Sequence, residues 1–208
     1  VSLDSNASNS QLTEIVQSDD LFPVTPSWRL LATMNTYDKA SLYELSYAFM
    51  RRFNFIHVGV PNLQNTDGEI RTSLLDPNTD KDTYATKWAS EGEEIERALQ
   101  DTYKELAVVW KRINEARSIG PSIVRDILAY IAANDTDDST EALLTDAIIA
   151  LVYPQLEGMR PQEQKQLIES LSADAAETET GDVNVELEQE RLRRKAEDIF
   201  NIEFSDDE

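Results

Sequence analysis

The sequence predicts a predominantly helical protein in which a short α/β portion precedes an all-α subdomain and an acidic tail. Two apolar runs of strand length flank a segment with helical spacing in residues 28–61. Residues 88–171 contain four segments with helical spacing, and prolines or polar runs separate them. Residues 173–208 contain 13 acidic and 4 basic residues. This order is typical of an α/β core followed by a helical subdomain.

The first part of the chain predicts two strands and one helix. A polar lead-in ends in two prolines, which disfavour a helix interior and a central strand. After it we predict a strand over 28–34, a helix of about three turns over 41–52 and a second strand over 53–60, which stops at Pro61. Arg51 and Arg52 fall at the carboxyl end of this helix, where cations oppose the helix dipole. Residues 1–27 are therefore a lead-in segment, and 28–61 form the α/β portion.

The second part predicts an irregular connection and four helices. Residues 62–87 are rich in Asp, Asn, Thr and Gly, which is typical of a loop or insertion. A long apolar stripe then predicts one extended helix through Ile95, Leu99, Leu106, Val109, Ile113 and Ala116. Pro121 is well placed to begin a second helix, and two shorter helices are predicted over 143–153 and 162–171. Residues 88–171 are therefore expected to form a helical subdomain.

The acidic tail, residues 172–208, is predicted to be partly disordered. The stretch ADAAETETGD at 173–182 has few large apolar residues, so we expect no packed structure there. Further on, Leu192, Ala196, Ile199 and Phe200 would share one face of a short amphipathic helix. That helix could dock on a partner or fold back on the body, and the sequence leaves both alternatives open.

Composition excludes several classes of function. The chain has no cysteine and one histidine, so thiolate metal sites, a Cys nucleophile and sites with two imidazoles are excluded, and we predict no metal site. Its net charge is 19 − 40 = −21, which argues against a nucleic-acid backbone as partner. Such acidity suits a cytoplasmic protein of a salt-loving organism, although an ordinary acidic protein with an acidic tail is the alternative. No apolar run is long enough to span a membrane.

The segment WRLLATMNTYDKASLYELSYAFMRRFNFIHV, residues 28–58, carries the clearest functional pattern. A strand there ends in the amide Asn35, and open α/β sheets bind ligands at such strand ends. Arg51 and Arg52 at a helix end could reach a phosphate on a neighbouring molecule. The segment resembles the AAA+ NTPases of the McrB-like and MoxR-like branch, with ATMN similar to the sensor-1 strand and FMRRF similar to the arginine-finger element. SIGPSIVRDIL, residues 118–128, is similar to the sensor-2 helix of the helical lid, and this similarity implies that Ser122 and Arg125 would lie near a nucleotide.

The resemblance implies a site shared between subunits. Asn35 would hold the attacking water, and Arg51 or Arg52 would enter the site of the adjacent subunit in a ring. The intact protein would use ATP or GTP with Mg²⁺ and act with a nuclease subunit or on a substrate protein. No phosphate-binding GxxxxGK[ST] loop and no apolar strand ending in Asp-Glu is present, so we expect the C-terminal part of a longer NTPase that binds no nucleotide alone. The alternative is a non-catalytic adaptor module or a degenerate ring subunit.

Two site residues also have structural interpretations. The family often has arginine at the position where this chain has Ser122, and Arg125 comes three residues later. The only argument for Arg125 as a nucleotide sensor is that residues three apart lie on nearly the same face of a helix. Its structural interpretation is an exposed helix cation paired with a nearby acid. His57 alternates with Phe53 and Phe55, and we predict that it is a buried, hydrogen-bonded histidine rather than a catalytic one.

Overall fold

A computed structural model describes residues 29–33, 51–134 and 139–204. The chain divides into two compact units, Val1–Ile56 and His57–Glu208. In the first unit, the described residues form neither helix nor strand, and a turn lies at Arg51 and Arg52. All the regular structure that is described belongs to the second unit.

The second unit is predominantly helical, as the sequence predicts. Its described α-helices are α1 (Tyr84–Ala89), α2 (Glu93–Ala116), α3 (Pro121–Ala133), α4 (Thr140–Ala147), α5 (Pro161–Ser170) and α6 (Gln189–Phe200). A 3-10 turn (Thr72–Leu74) precedes α1, and α4 continues into a π-helical turn (Ile148–Val152) and a 3-10 turn (Tyr153–Leu156). A short hairpin of β1 (Ala176–Thr178) and β2 (Gly181–Val183) lies between α5 and α6.

Helix α2 lies at the centre of the core. It packs against α1, α3, α5 and β2. Its apolar stripe is buried as the spacing predicts, with Leu99, Leu106 and Ile113 at 0% exposure. Trp110 on the same helix is also buried, and its indole N–H donates to the carbonyl of Ile119 at 3.1 Å. Burial of this stripe fixes the neighbouring helices around α2.

Polar side chains define the ends of the helices. Asn114 closes the turn between α2 and α3, because its side chain donates to the Ile119 carbonyl (3.2 Å) and accepts the Ile119 N–H (3.1 Å). The Ser139 hydroxyl accepts the N–H of Ala142 at 3.2 Å and so caps the first turn of α4. At the other end of the unit, α6 stops at Asn201, whose φ of 54° is a left-handed helix cap.

The structure corrects the predicted disorder of 173–182. Residues Ala176–Thr178 and Gly181–Val183 form an antiparallel hairpin, in which Ala176 pairs with Val183. Ile70 from the preceding connection bridges to Thr178 in parallel, and its N–H donates to the Glu177 carbonyl at 3.0 Å. The hairpin therefore has a neighbour from outside the tail. Its last residue and two alternating apolar residues after it are buried and anchor it in the core: Val183, Val185 and Leu187.

The amphipathic helix predicted in the tail is present as α6, and it folds back on the body. Leu192 and Ala196 are fully buried, whereas Ile199 is 54% exposed. The hydroxyl of Tyr153 donates to the Leu192 carbonyl at 2.8 Å, which ties the first turn of α6 to the 3-10 turn that follows the π-helical turn. Of the two alternatives for this helix, the structure therefore favours packing within the chain.

The structure also corrects the prediction of two formed strands in the first part. Residues 29–33 and 53–60 form neither helix nor strand. The predicted helix over 41–52 lies outside the described residues except for its last two positions. A strand requires neighbouring backbone groups as hydrogen-bond partners, and no backbone hydrogen bond between described residues involves 54–61. The connection predicted over 62–87 is irregular up to Thr83, with the 3-10 turn inside it, and α1 begins before it ends.

Within the described part of the chain, no helix is both long and apolar enough to cross a bilayer.

Candidate functional site

The two predicted catalytic arginines lie side by side on an exposed turn. Arg51 and Arg52 are both exposed, and the chain continues from them into an apolar segment, residues 53–60. The proposed sensor-1 residue, Asn35, lies outside the described residues. Of the ATMN motif only Ala32 and Thr33 are described, and both are exposed. The structure therefore places the arginine pair at the surface and leaves its geometry relative to Asn35 a prediction.

Large apolar side chains are exposed next to both motifs. Leu31 is 92% exposed in the first segment, and Ile56 and Val58 are each 86% exposed in the second. By contrast, Leu99, Leu106, Val109 and Ile113 in the apolar stripe of α2 are all fully buried. The exposed large apolar residues of the described chain are Leu30, Leu31, Phe55, Ile56, Val58, Val60 and, on α6, Ile199. All but the last belong to the two segments that carry the sequence pattern of strands.

Arg125 is held by a carboxylate on another element. It lies in the second turn of α3, and its Nε is 3.1 Å from each carboxylate oxygen of Glu91, in the turn between α1 and α2. Its Nη2 also donates to Glu91, and Nη1 lies 3.6 Å from Asp126. The hydrogen bond from Arg125 lowers the pKa of Glu91, and the same bond raises the pKa of Arg125. The predicted pairing of an exposed helix cation with an acid is thus confirmed.

The contact with Glu91 shows that the guanidinium of Arg125 is oriented to bind an anionic group. A guanidinium binds carboxylate and phosphate oxygens through the same planar fork of N–H donors. The side chain remains 41% exposed while it contacts Glu91, so a ligand could reach it without opening the core. Ser122, one turn earlier on α3, is exposed at the start of the helix after Pro121. Both predicted nucleotide-contacting residues therefore lie on the accessible first turns of α3.

The prediction for His57 is wrong. Its side chain was expected to be buried and hydrogen-bonded, but the structure exposes it. The reason is that burial in a strand depends on a second layer covering one face. Residues 55–60 are exposed throughout, so no such layer covers this face in the described chain.

Sequence reasoning missed Arg112, the buried cation of the second unit. Its side chain is 8% exposed in α2. One terminal nitrogen donates to the Leu171 carbonyl at 2.7 Å, and the other donates to the carbonyls of Asp174 (2.6 Å) and Ala173 (3.4 Å). Desolvation lowers the pKa of this guanidinium, although nearby Glu115 and Asp174 oppose the effect. Arg112 holds the turn that leads into the hairpin, so its role here is structural.

Among the described residues, no group of three or more His, Cys, Asp or Glu side chains is arranged to hold a metal ion. Comparisons of the chain with models of known families, with characterised proteins and with solved structures found no match.

Proposed function

We propose that this chain supplies the C-terminal part of a AAA+ nucleoside-triphosphatase of the McrB-like or MoxR-like branch. In this proposal the fold is a remnant of the α/β core followed by the helical lid. Asn35 acts as sensor 1, and one of Arg51 and Arg52 acts as a finger in the neighbouring subunit of a homo-oligomeric ring. Arg125 and Ser122 lie near the bound nucleotide.

The observation that carries the proposal is the exposure of the two apolar segments. Residues 29–33 and 55–60 carry strand-like sequences and large side chains that no described residue covers. Exposed apolar segments of this kind mark surfaces that another part of a protein covers. A nucleotide-binding half that supplies neighbouring strands would bury these side chains. The segments that would be covered are those carrying the sensor-1 and finger motifs.

The positions of the cations support the same proposal. An arginine finger must reach an adjacent active site, and Arg51 and Arg52 are both exposed on a turn. Stabilisation of transition-state charge by such a finger is typically worth about 10³ to 10⁵ in rate, or roughly 4 to 7 kcal/mol. Arg125 already contacts a carboxylate in the geometry that a phosphate would occupy. Nucleotide binding would then exchange one anionic partner of Arg125 for another.

The remaining chemistry would come from the other half of the protein. That half would supply the phosphate-binding loop and the acids that hold Mg²⁺ with ATP or GTP. We propose a cytoplasmic, halophilic protein whose partner is a nuclease subunit or a substrate protein, rather than a nucleic acid bound directly. The strongly acidic composition supports these choices, because high ionic strength screens self-repulsion.

The test is reconstitution with the nucleotide-binding half encoded upstream in the same reading frame. Phosphate release from ATP and from GTP is measured with each half alone and with both together. Activity is expected only from the mixture, and Arg51→Ala or Arg52→Ala is expected to lower it by about 10³-fold or more. An upstream frame without a phosphate-binding loop would refute the proposal.

A matched variant separates loss of the finger from loss of surface charge. Lys81→Ala removes a cation that is also exposed and makes no ion pair with described residues. This variant is expected to retain the activity of the reconstituted mixture. Equal losses in Lys81→Ala and in both arginine variants would show a general charge effect and would contradict the finger assignment.

A non-catalytic adaptor is the second candidate. The observation that favours it is that His57–Glu208 forms a compact unit whose core is built from its own helices and hairpin. Such a unit could act as a binding module without nucleotide chemistry. The reconstitution distinguishes the two functions, because an adaptor would leave phosphate release unchanged in every arginine variant.

A further inference from the structure

The guanidinium of Arg125 has a carboxylate at each of two edges. Glu91 occupies the edge formed by Nε and Nη2, because Nε lies 3.1 Å from both of its carboxylate oxygens and Nη2 donates to one of them. Asp126, the next residue of α3, lies 3.6 Å from Nη1. One guanidinium and two carboxylates together carry a net negative charge. In this arrangement Arg125 and its partners repel a phosphate group rather than attract it.

The two carboxylates differ in how they hold Arg125. The hydrogen bond between Arg125 and Glu91 is the largest cause of the lowered pKa of Glu91 and of the raised pKa of Arg125. Asp126 lies beyond hydrogen-bond distance and raises the pKa of Arg125 only through its charge, as the smallest of the causes. Glu91 is therefore the anion that an incoming phosphate has to displace.

The side chain of Glu91 can leave Arg125 without a change in the fold. Its backbone is held in the turn between α1 and α2, where its N–H donates to the carbonyl of the buried Trp88 at 2.9 Å. The carboxylate is 38% exposed, and among the described residues Arg125 is its only hydrogen-bond partner. Rotation of this one side chain into solvent therefore frees the guanidinium while α1, α2 and α3 stay packed. Exposed ion pairs are weak, so such an exchange costs little.

We propose that Glu91 is an internal competitor of the nucleotide, which keeps Arg125 occupied until a polyphosphate takes its place. The inference rests on the proposed function, because it assigns the regulation of the Arg125 contact that this function includes. A triphosphate offers the same fork of N–H donors more oxygens and more charge than one carboxylate does. Because the occupied Arg125 repels such a group, the exchange needs the cations that the nucleotide-binding half supplies. Arg125 then contacts the nucleotide only in the assembled protein.

The test is a titration of the full 208-residue chain with inorganic tripolyphosphate, followed by NMR of the Arg125 Nε–H group. Loss of the resonance in Arg125→Gln identifies it. Glu91→Gln keeps the size of the side chain and removes its charge from an exposed turn, so the fold is expected to persist. The resonance is expected to shift at about fivefold lower tripolyphosphate concentration in Glu91→Gln than in the wild type, which is the effect expected from removal of one exposed ion pair.

Glu93→Gln is the matched control, because it removes the same charge from an exposed acid in the first turn of α2, close to Glu91 in sequence. It is expected to respond to tripolyphosphate like the wild type. If Glu91→Gln and Glu93→Gln respond at the same concentration, the effect is one of net charge and the inference is wrong. Absence of any response in Glu91→Gln would also overturn it, since Arg125 would then bind no phosphate even when released.

The reconstituted protein gives a second measurement. There Glu91→Gln is expected to lower KM for the nucleotide by about fivefold and to leave kcat nearly unchanged, because Glu91 competes only before the nucleotide binds. A merely structural tie between the α1–α2 turn and α3 would lower Tm in this variant without a change in KM, and that result would contradict the inference. Failure of the two halves to release phosphate would refute the proposed function, whereas the tripolyphosphate titration of the single chain tests Glu91 by itself.

Discussion

Replacement of Arg112 by methionine tests how the tail is attached to the body. The guanidinium donates to the carbonyls of Leu171, Ala173 and Asp174 from inside the core. Methionine fills similar space but donates no hydrogen bond. The Leu171 carbonyl would then lose its donor in a buried position, which costs about 1–3 kcal/mol. The other two carbonyls belong to exposed residues and would regain water, so their loss costs less.

The net destabilisation expected for Arg112→Met is about 2–3 kcal/mol. For a domain of this size, each kcal/mol shifts Tm by about 2–4 °C, so thermal unfolding should fall by roughly 4–12 °C. Far-UV circular dichroism measures this shift. Limited proteolysis adds a local readout, since the turn at 171–174 and the hairpin after it should be cut before the helices.

Arg97→Met is the matched control, because Arg97 is exposed on the same helix and makes no ion pair with described residues. Its free energy of unfolding should change by no more than about 0.5 kcal/mol. Arg112→Lys keeps the charge but loses the planar fork, and an intermediate Tm is expected. If Arg112→Met and Arg97→Met unfold at the same temperature, the inference that Arg112 anchors the tail is wrong.

Three further predictions concern other contacts of the second unit. Tyr153→Phe removes the hydrogen-bond donor to the Leu192 carbonyl and should lower the free energy of unfolding in urea by about 1–2 kcal/mol. Burial raises the pKa of Tyr153, so alkaline difference spectra of the wild type should show one tyrosine fewer titrating in the folded protein than in the unfolded protein. Because Arg125 lowers the pKa of Glu91 below its ordinary value of 4.5, the pair contributes stability above that pH and loses it as pH falls through the lowered pKa; NMR titration should show that Arg125→Gln returns the Glu91 pKa toward 4.5. Gly181→Ala should destabilise the hairpin by about 1–2 kcal/mol in thermal unfolding, since its φ of 103° strains any residue with a Cβ.

Helices that depend on local periodicity were predictable from the sequence. The stripe through Leu99, Leu106 and Ile113 repeats every seven residues, and all three side chains are fully buried. Pro121 marked the start of α3 for a similar local reason, since its ring fixes φ at a helical value and its missing N–H has no partner in a first turn. The helical part of the fold could therefore be predicted without knowledge of what each helix packs against.

The hairpin could not be predicted from its composition, because its partner lies far away in sequence. Ile70 pairs with Thr178 across more than one hundred residues, and no local pattern near 173–182 indicates that contact. A weaker signal was present in the alternation of Val183, Val185 and Leu187, which are all buried. Alternation of this kind outweighs acidic composition when a neighbouring segment offers backbone partners.

The candidate site was predictable in residue type but not in contacts. Arg125 was expected either to sense a nucleotide or to pair with an acid, and the structure selects Glu91, 34 positions earlier in the chain, as that acid. Burial of His57 was predicted from alternation with two phenylalanines, but alternation only says which residues share a face. Whether that face is covered depends on other elements, and here it is exposed.

The attachment of the tail explains how so acidic a segment remains folded against an acidic body. Buried apolar side chains such as Val183, Val185 and Leu192 hold it in the core. Hydrogen bonds to neutral carbonyls add to these contacts, from Arg112 to the turn at 171–174 and from Tyr153 to Leu192. Such bonds are buried or half-buried, so dissolved ions screen them little, whereas repulsion between surface carboxylates weakens as salt rises. Added salt therefore removes the force that opposes docking and leaves the contacts that favour it.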